Sequence, residues 1–232
     1  MIIRKYNNFD ELYTKYNEEM IKNSDKYVLY DVARSYYLDV SLLNCKSNYF
    51  SFDLKKLKYT EMKIKMLYKQ YIEEGSIEEL KKKLNKNHIS CTFYFKNKKK
   101  RKGNVSDIDP CLLNIVFERV DRKSKFSRIT IIYRATEISR KFGADLILIN
   151  DILKQIEDFI NIENINIFIV KPIITVPRVA AYLDNFNINI EDLKVENHLH
   201  RFILKSLEDA YSNKISSFQS FNELYKIIRG EK

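Results

Sequence analysis

"VDRKSKFSRITIIYRATEISRKFGADL", Val120 to Leu146, changes period partway along, and that change decides the fold. Its first half, "FSRITIIYR" (Phe126–Arg134), is a β-branched apolar run of strand type. The stretch before it, "CLLNIVFERV" (Cys111–Val120), reads the same way. Only the polar "DRKSK" separates the two, which describes a hairpin. From Phe142 onward the apolar residues Leu146, Ile149, Leu153, Ile156 and Ile160 recur every three to four positions, predicting a long buried helix. Asp145 is the odd residue on that face, and Cys111 directly follows Pro110.

Working outward, "INIFIV" (Ile165–Val170) predicts a further strand and "RVAAYLDNF" (Arg178–Phe186) a short helix after Pro177. Upstream, Asn8–Asn23 and Tyr59–Glu74 have helical spacing, and Gly75 is a natural stop. "SIEELKKKLNK" (Ser76–Lys86) opens like a capping box, with Ser76 as cap and Glu79 three residues on. "HISCTFYFKN" (His88–Asn97) reads as a strand, while "RFILKSLEDAY" and "FNELYKII" predict C-terminal helices. Strands and helices in this order predict one α+β domain over residues 1–232, with a central mixed twisted sheet flanked by helices.

Composition narrows the partners. The chain carries a formal charge of +10, which favours an anionic partner such as a nucleotide or nucleic acid. With 4 Gly and neither GxGxxG nor GxxxxGK[ST], the glycine-loop routes to nucleotide binding are excluded. Three cysteines without a CxxC pair, Cys45, Cys91 and Cys111, predict reduced thiols rather than a zinc site or a disulfide framework. The start lacks the apolar core of a signal peptide and no apolar run reaches membrane-spanning length, so a cytoplasmic protein without membrane contact is expected. "KNKKKRKGNVSDID" (Lys96–Asp109) has no apolar period and reads as a basic loop. The pair His198 and His200 has no evident third ligand, so no metal is expected.

The joint placement of Pro110-Cys111, a hairpin, Arg134, and Asp145 eleven residues later resembles the thymidylate synthases and deoxycytidylate hydroxymethylases. The resemblance spans about Phe52 to Phe186. It implies a thymidylate synthase-like fold, a homodimer formed through the sheet, and transfer of a methyl or hydroxymethyl group to C5 of a pyrimidine nucleotide. The carbon would come from 5,10-methylenetetrahydrofolate. Cys111 would be the nucleophile that adds to C6. Arg134 would lower its pKa and contact phosphate, with Thr136 and Glu137 beside it in the substrate site. Asp145 would accept from the exocyclic amine of cytosine, where the uracil-specific members have asparagine.

The pattern also departs from the family. Leu112 stands for His, Ala135 for Ser and Glu137 for Asp; the partner-donated arginines fall on Cys91 and Thr92, and the sugar-binding His-x-Tyr near Thr175 and Pro177. The catalytic glutamate registers near Tyr68 or Lys69, which leaves Glu61, a turn or two away, as the candidate carboxylate. Lys98, Lys99, Lys100 and Arg101 are the candidates for phosphate contacts. A protein that keeps the fold and binds nucleotide or nucleic acid without reacting is the alternative.

Overall fold

The structure is a computed structural model that describes residues 1–22, 28–30, 35–37, 39–51, 57, 61–96 and 110–189. The basic residues Lys98, Lys99, Lys100 and Arg101, the pair His198 and His200, and both expected C-terminal helices lie outside the described residues.

The chain forms a mixed sheet with helices packed on it. Strands β1 (Ile2–Tyr6), β4 (Ser41–Cys45), β8 (Ile160–Thr175), β7 (Phe126–Glu137), β6 (Leu112–Glu118) and β5 (Ser90–Tyr94) lie side by side in that order. Strand β3 (Ser35–Tyr37) pairs with the end of β8, and β2 (Val28–Tyr30) pairs with β3. The expected hairpin is β6–β7, an antiparallel pair. Strand β7 then runs parallel to β8, because α4 (Lys141–Gln155) and a single 3-10 turn (Glu157–Phe159) carry the chain back between them. The other helices are α1 (Phe9–Lys22), α2 (Glu61–Tyr71), α3 (Ser76–Leu84) and α5 (Val176–Phe186). No helix among the described residues is long and apolar enough to cross a membrane.

Register places the buried residues at the centre of the sheet on one face. Leu43 and Ile131 both oppose Ile167, Tyr133 opposes Ile169, and Ile115 opposes Ile131. All of these are buried, and they share one core with Phe9, Leu12, Tyr13 and Tyr16 of α1 and Phe142, Leu146 and Ile149 of α4. On the other face, the row Leu42, Phe168, Ile132, Asn114, Tyr94 is half-buried to exposed. Beside it runs a second row with Asn44, Asn166, Thr130, Val116 and Thr92, in which the Asn44 amide donates to Asn166 Oδ1 at 3.0 Å.

The cap of α3 differs from the expected capping box. Gly75 is the N-cap, in the left-handed region at φ 79°, and no side chain caps the helix. The Ser76 hydroxyl turns back to donate to the Glu73 carbonyl at 2.7 Å, and Glu79 pairs instead with Lys83. A glycine reaches this backbone region without steric cost, so the serine hydroxyl is released for the preceding turn.

Gly143 fixes how closely α1 approaches α4. A Cβ there would lie 2.9 Å from Tyr13 Cε2 and 3.1 Å from Leu57 Cδ1. Tyr13 has no room to retreat: its hydroxyl donates to the Ser139 carbonyl at 2.5 Å, and its ring is boxed by Phe50, Tyr182 and Phe186. Gly143→Ala is expected to lose about 1–2 kcal/mol in urea unfolding, overpacking outweighing the better helix propensity of alanine.

Candidate functional site

Four chain ends meet beside the β6–β7 hairpin. Cys111 immediately precedes β6, and its carbonyl accepts from the Arg134 amide at 2.8 Å, so nucleophile candidate and arginine are direct neighbours across the ladder. The C-terminus of α2 arrives at the same place, because the Lys96 amide donates to the Tyr71 carbonyl at 3.0 Å and the Phe95 amide to the Leu113 carbonyl at 2.9 Å. The first turn of α4 completes the group, locked by Phe142, whose ring meets Tyr133 edge-on at 5.6 Å and Tyr16 at 6.2 Å.

The groups gathered there are Cys111, Asp145, Lys141, Tyr71 and Tyr133. Cys111 is half-buried, whereas Cys45 and Cys91 are buried. Asp145 is 1% exposed, and neither carboxylate oxygen has a hydrogen-bond partner among the described residues. The same holds for the Tyr133 hydroxyl below it. Burial pushes the Asp145 carboxyl up to about 7, with the Lys141 ammonium pulling the other way. A buried carboxyl with no partner is rare in a folded interior, and here two oxygen-bearing groups without a partner among the described residues influence one another electrostatically.

Lys141 is the electrostatic hub. Its ammonium lies 5.8 Å from the centre of the Tyr71 ring. Burial pushes its pKa down, but the nearby Asp145, Tyr71 and Cys111 outweigh that and hold the ammonium protonated. Tyr71 is raised by burial, opposed by Lys141 and reinforced by Asp145 and Cys111. Tyr133 is raised by burial and then by Asp145 and Tyr71. Neither Lys141 nor the two tyrosines is marked by sequence pattern: each tyrosine reads as ordinary core, and a lysine opening a helix reads as solvated.

The remaining sequence candidates divide. The Arg134 side chain is exposed, one position along β7 from the inward-facing Tyr133 and therefore on the opposite face of the sheet. Glu137 closes the start of α4, its carboxylate accepting from the amides of Ser139 and Arg140 at 3.1 Å each. Burial raises its pKa to about 7 against those amides and Arg178. Thr136 is buried opposite Pro172, its hydroxyl without a partner among the described residues. Glu61 begins α2, ten residues before Tyr71, so it stands about 15 Å along the helix from the Cys111 group. It lines a cleft of about 280 Å³ with Ile64, Lys65, Tyr68, Ile147, Leu148 and Asp151. Tyr68, where the resemblance puts the catalytic carboxylate, accepts from Gln155 Nε2 at 3.0 Å.

No protein-family model and no curated protein sequence matches the chain.

Proposed function

We propose that this chain is a divergent member of the thymidylate synthase and deoxycytidylate hydroxymethylase group, with the fold of that group, acting on C5 of a cytosine nucleotide. The observation that supports the reading is that the half-buried Cys111 and the buried Asp145, whose carboxyl has no hydrogen-bond partner among the described residues, both act on Tyr71 and Lys141.

The chemistry follows from those two groups. A Cys111 thiolate forms a bond to C6, and the C5=C6 electron pair moves to C5, which becomes nucleophilic. Asp145, held near neutrality, offers its hydroxyl to N3 of cytosine and its carbonyl to the exocyclic amine, two parallel hydrogen bonds on one base edge. The cleft between α2 and α4 begins one helical turn from Tyr71 and one from Asp145; its apolar walls suit a flat ring, its carboxylates Glu61 and Asp151 an amino-substituted one, and Lys65 an anionic tail. Glu61, Lys65 and Asp151 would hold a methylenetetrahydrofolate there, and it would supply the one-carbon unit. Phosphate contacts by Lys98, Lys99, Lys100 and Arg101 belong to the same proposal, as does a second copy packed on the sheet face opposite the core with its half-buried Leu42, Phe168, Ile132 row.

A second reading, a binder that has lost the reaction, draws its support from Tyr68, a phenol where the resemblance calls for a proton-moving carboxylate, and from the distance of Glu61.

Calorimetry with deoxycytidylate and deoxyuridylate tests the assignment of Asp145. The wild type is expected to prefer deoxycytidylate, and Asp145→Asn to swing that preference by roughly 10- to 100-fold toward deoxyuridylate, the size of one bidentate base contact. Equal binding of both nucleotides by both proteins would remove Asp145 from base recognition.

A further inference from the structure

Strand β5 lies at one end of the strand order, and its backbone groups divide by parity. The Phe95 amide donates to the Leu113 carbonyl at 2.9 Å and the Arg119 amide to the Ile89 carbonyl at 3.0 Å. With Cys91 opposite Phe117 and Phe93 opposite Ile115, the odd-numbered residues turn their amides and carbonyls toward β6. Ser90, Thr92 and Tyr94 therefore turn theirs outward, where they have no partner among the described residues. Lys96 is next in that outward row, and its amide donates to the Tyr71 carbonyl at 3.0 Å, so the end of α2 closes the edge there. The other end of the strand order, β1, carries Arg4 and Lys5, charges of the kind that keep an edge from pairing. Strand β5, "SCTFY", has no charge, no proline and no bulge.

Helix α3 runs beside this edge, joined to β5 by residues 85–89, and a groove of about 190 Å³ lies between the two. The buried Leu80 and Phe93 supply its apolar lining, and Thr92 and Tyr94 flank it on the strand. Pockets for drug-sized ligands start at roughly 300 Å³, so this one suits a single side chain of a longer partner. At its rim Lys83 pairs with Glu79 at 2.7 Å and Lys96 with Glu73 at 2.8 Å. All four side chains are at least 42% exposed, so both pairs are weak and exchangeable. From Ser76 to Lys86 four lysines stand against two glutamates, which favours an acidic partner.

We propose that the outward edge of β5 binds an extended, acidic peptide segment of a partner protein by strand addition, with one apolar side chain of that segment in the groove over Leu80 and Phe93. Backbone bonds to Thr92 and Tyr94 give the attachment and the groove sets the register. Lys83 and Lys96, exchanged from their glutamates, meet the carboxylates of the segment. The interaction does not depend on the reaction at C5.

The test uses an array of immobilised, end-capped octapeptides with a central Val-Leu flanked by glutamates, and matched copies flanked by lysines, probed with the wild type, Thr92→Pro and Thr92→Ala. Proline at 92 removes an outward donor and leaves the ladder to β6 intact, because residues 91, 93 and 95 make those bonds. The wild type is expected to bind glutamate-flanked peptides, and the lysine-flanked copies roughly tenfold more weakly. Thr92→Pro is expected to lose at least about tenfold and Thr92→Ala to stay within about threefold. No binding of any glutamate-flanked peptide, equal binding by Thr92→Pro, or equal binding of the lysine-flanked copies would overturn the proposal. So would a wild-type dimer, seen by sedimentation, that Thr92→Pro alone dissociates, since a second copy would then occupy the edge. Should the proline variant fail to fold, amide hydrogen exchange of the wild type decides. The Thr92 and Tyr94 amides are expected to exchange fast alone and at least about tenfold more slowly with the best-bound glutamate-flanked peptide at saturation, and no slowing would overturn the proposal.

Discussion

Replacing Asp145 by asparagine is expected to make the protein more stable at alkaline pH relative to acid pH, by on the order of 3 kcal/mol between pH 5 and pH 8.5. The carboxyl is 1% exposed, has no hydrogen-bond partner among the described residues, and titrates near 7 in the folded chain against 3.8 for an ordinary aspartate. Between those values the folded state binds a proton that the unfolded state has lost, so this group makes stability fall as pH rises through about 4 to 7. Above 7 the burial cost is present in full. An amide does not ionise, so the variant escapes that slope while keeping shape and volume. Glu137, Lys141, Tyr71 and Tyr133 titrate in both proteins, and their direct contributions cancel in the comparison. Urea unfolding at the two pH values reads the difference. A variant that loses the same stability at both would show that the carboxylate is paired when ionised, and the reading of Asp145 as a buried carboxyl held near neutrality would fail.

How far the sequence reaches is clearest at α4. The switch from strand run to helical spacing after Phe142 reads directly, because the hairpin and the helix bury one continuous face each, and Phe142, Leu146, Ile149 and Leu153 are all buried. Asp145 stands out on that face for the same reason. Lys141 does not, since periodicity registers apolar residues and a charged one at a helix start looks like surface. Its only signal is a reversed pair, a lysine four residues before an aspartate, the less favourable order along a helix. At the far edge, β1 and β4 are five residues each and pair in parallel, so neither turn chemistry nor length marks them. Strand β8 runs 16 residues where "INIFIV" marks only its centre; the asparagines at 161, 164 and 166 interrupt the apolar run and point away from the core. Glu61 shows the converse failure, because counting along α2 finds a carboxylate but does not say which end of the helix meets Cys111.

Loss of the Cys111 thiol has the largest effect the account predicts. With deoxycytidylate tritiated at C5, the wild type adds sulfur at C6, C5 takes a proton from water, and reversal expels the thiolate while the original tritium can leave to solvent. No folate is required, so tritium release isolates the step that Cys111 performs from every later one. A serine hydroxyl at 111 is a far weaker nucleophile at neutral pH, and release is expected to fall at least roughly a thousandfold in Cys111→Ser. Cys45 and Cys91, both buried, are not expected to substitute for it. Tritium release from deoxycytidylate by the wild type, lost in Cys111→Ser, is the result predicted; release no greater than that of Cys111→Ser, from deoxycytidylate and deoxyuridylate alike, would contradict a covalent pyrimidine chemistry at this site.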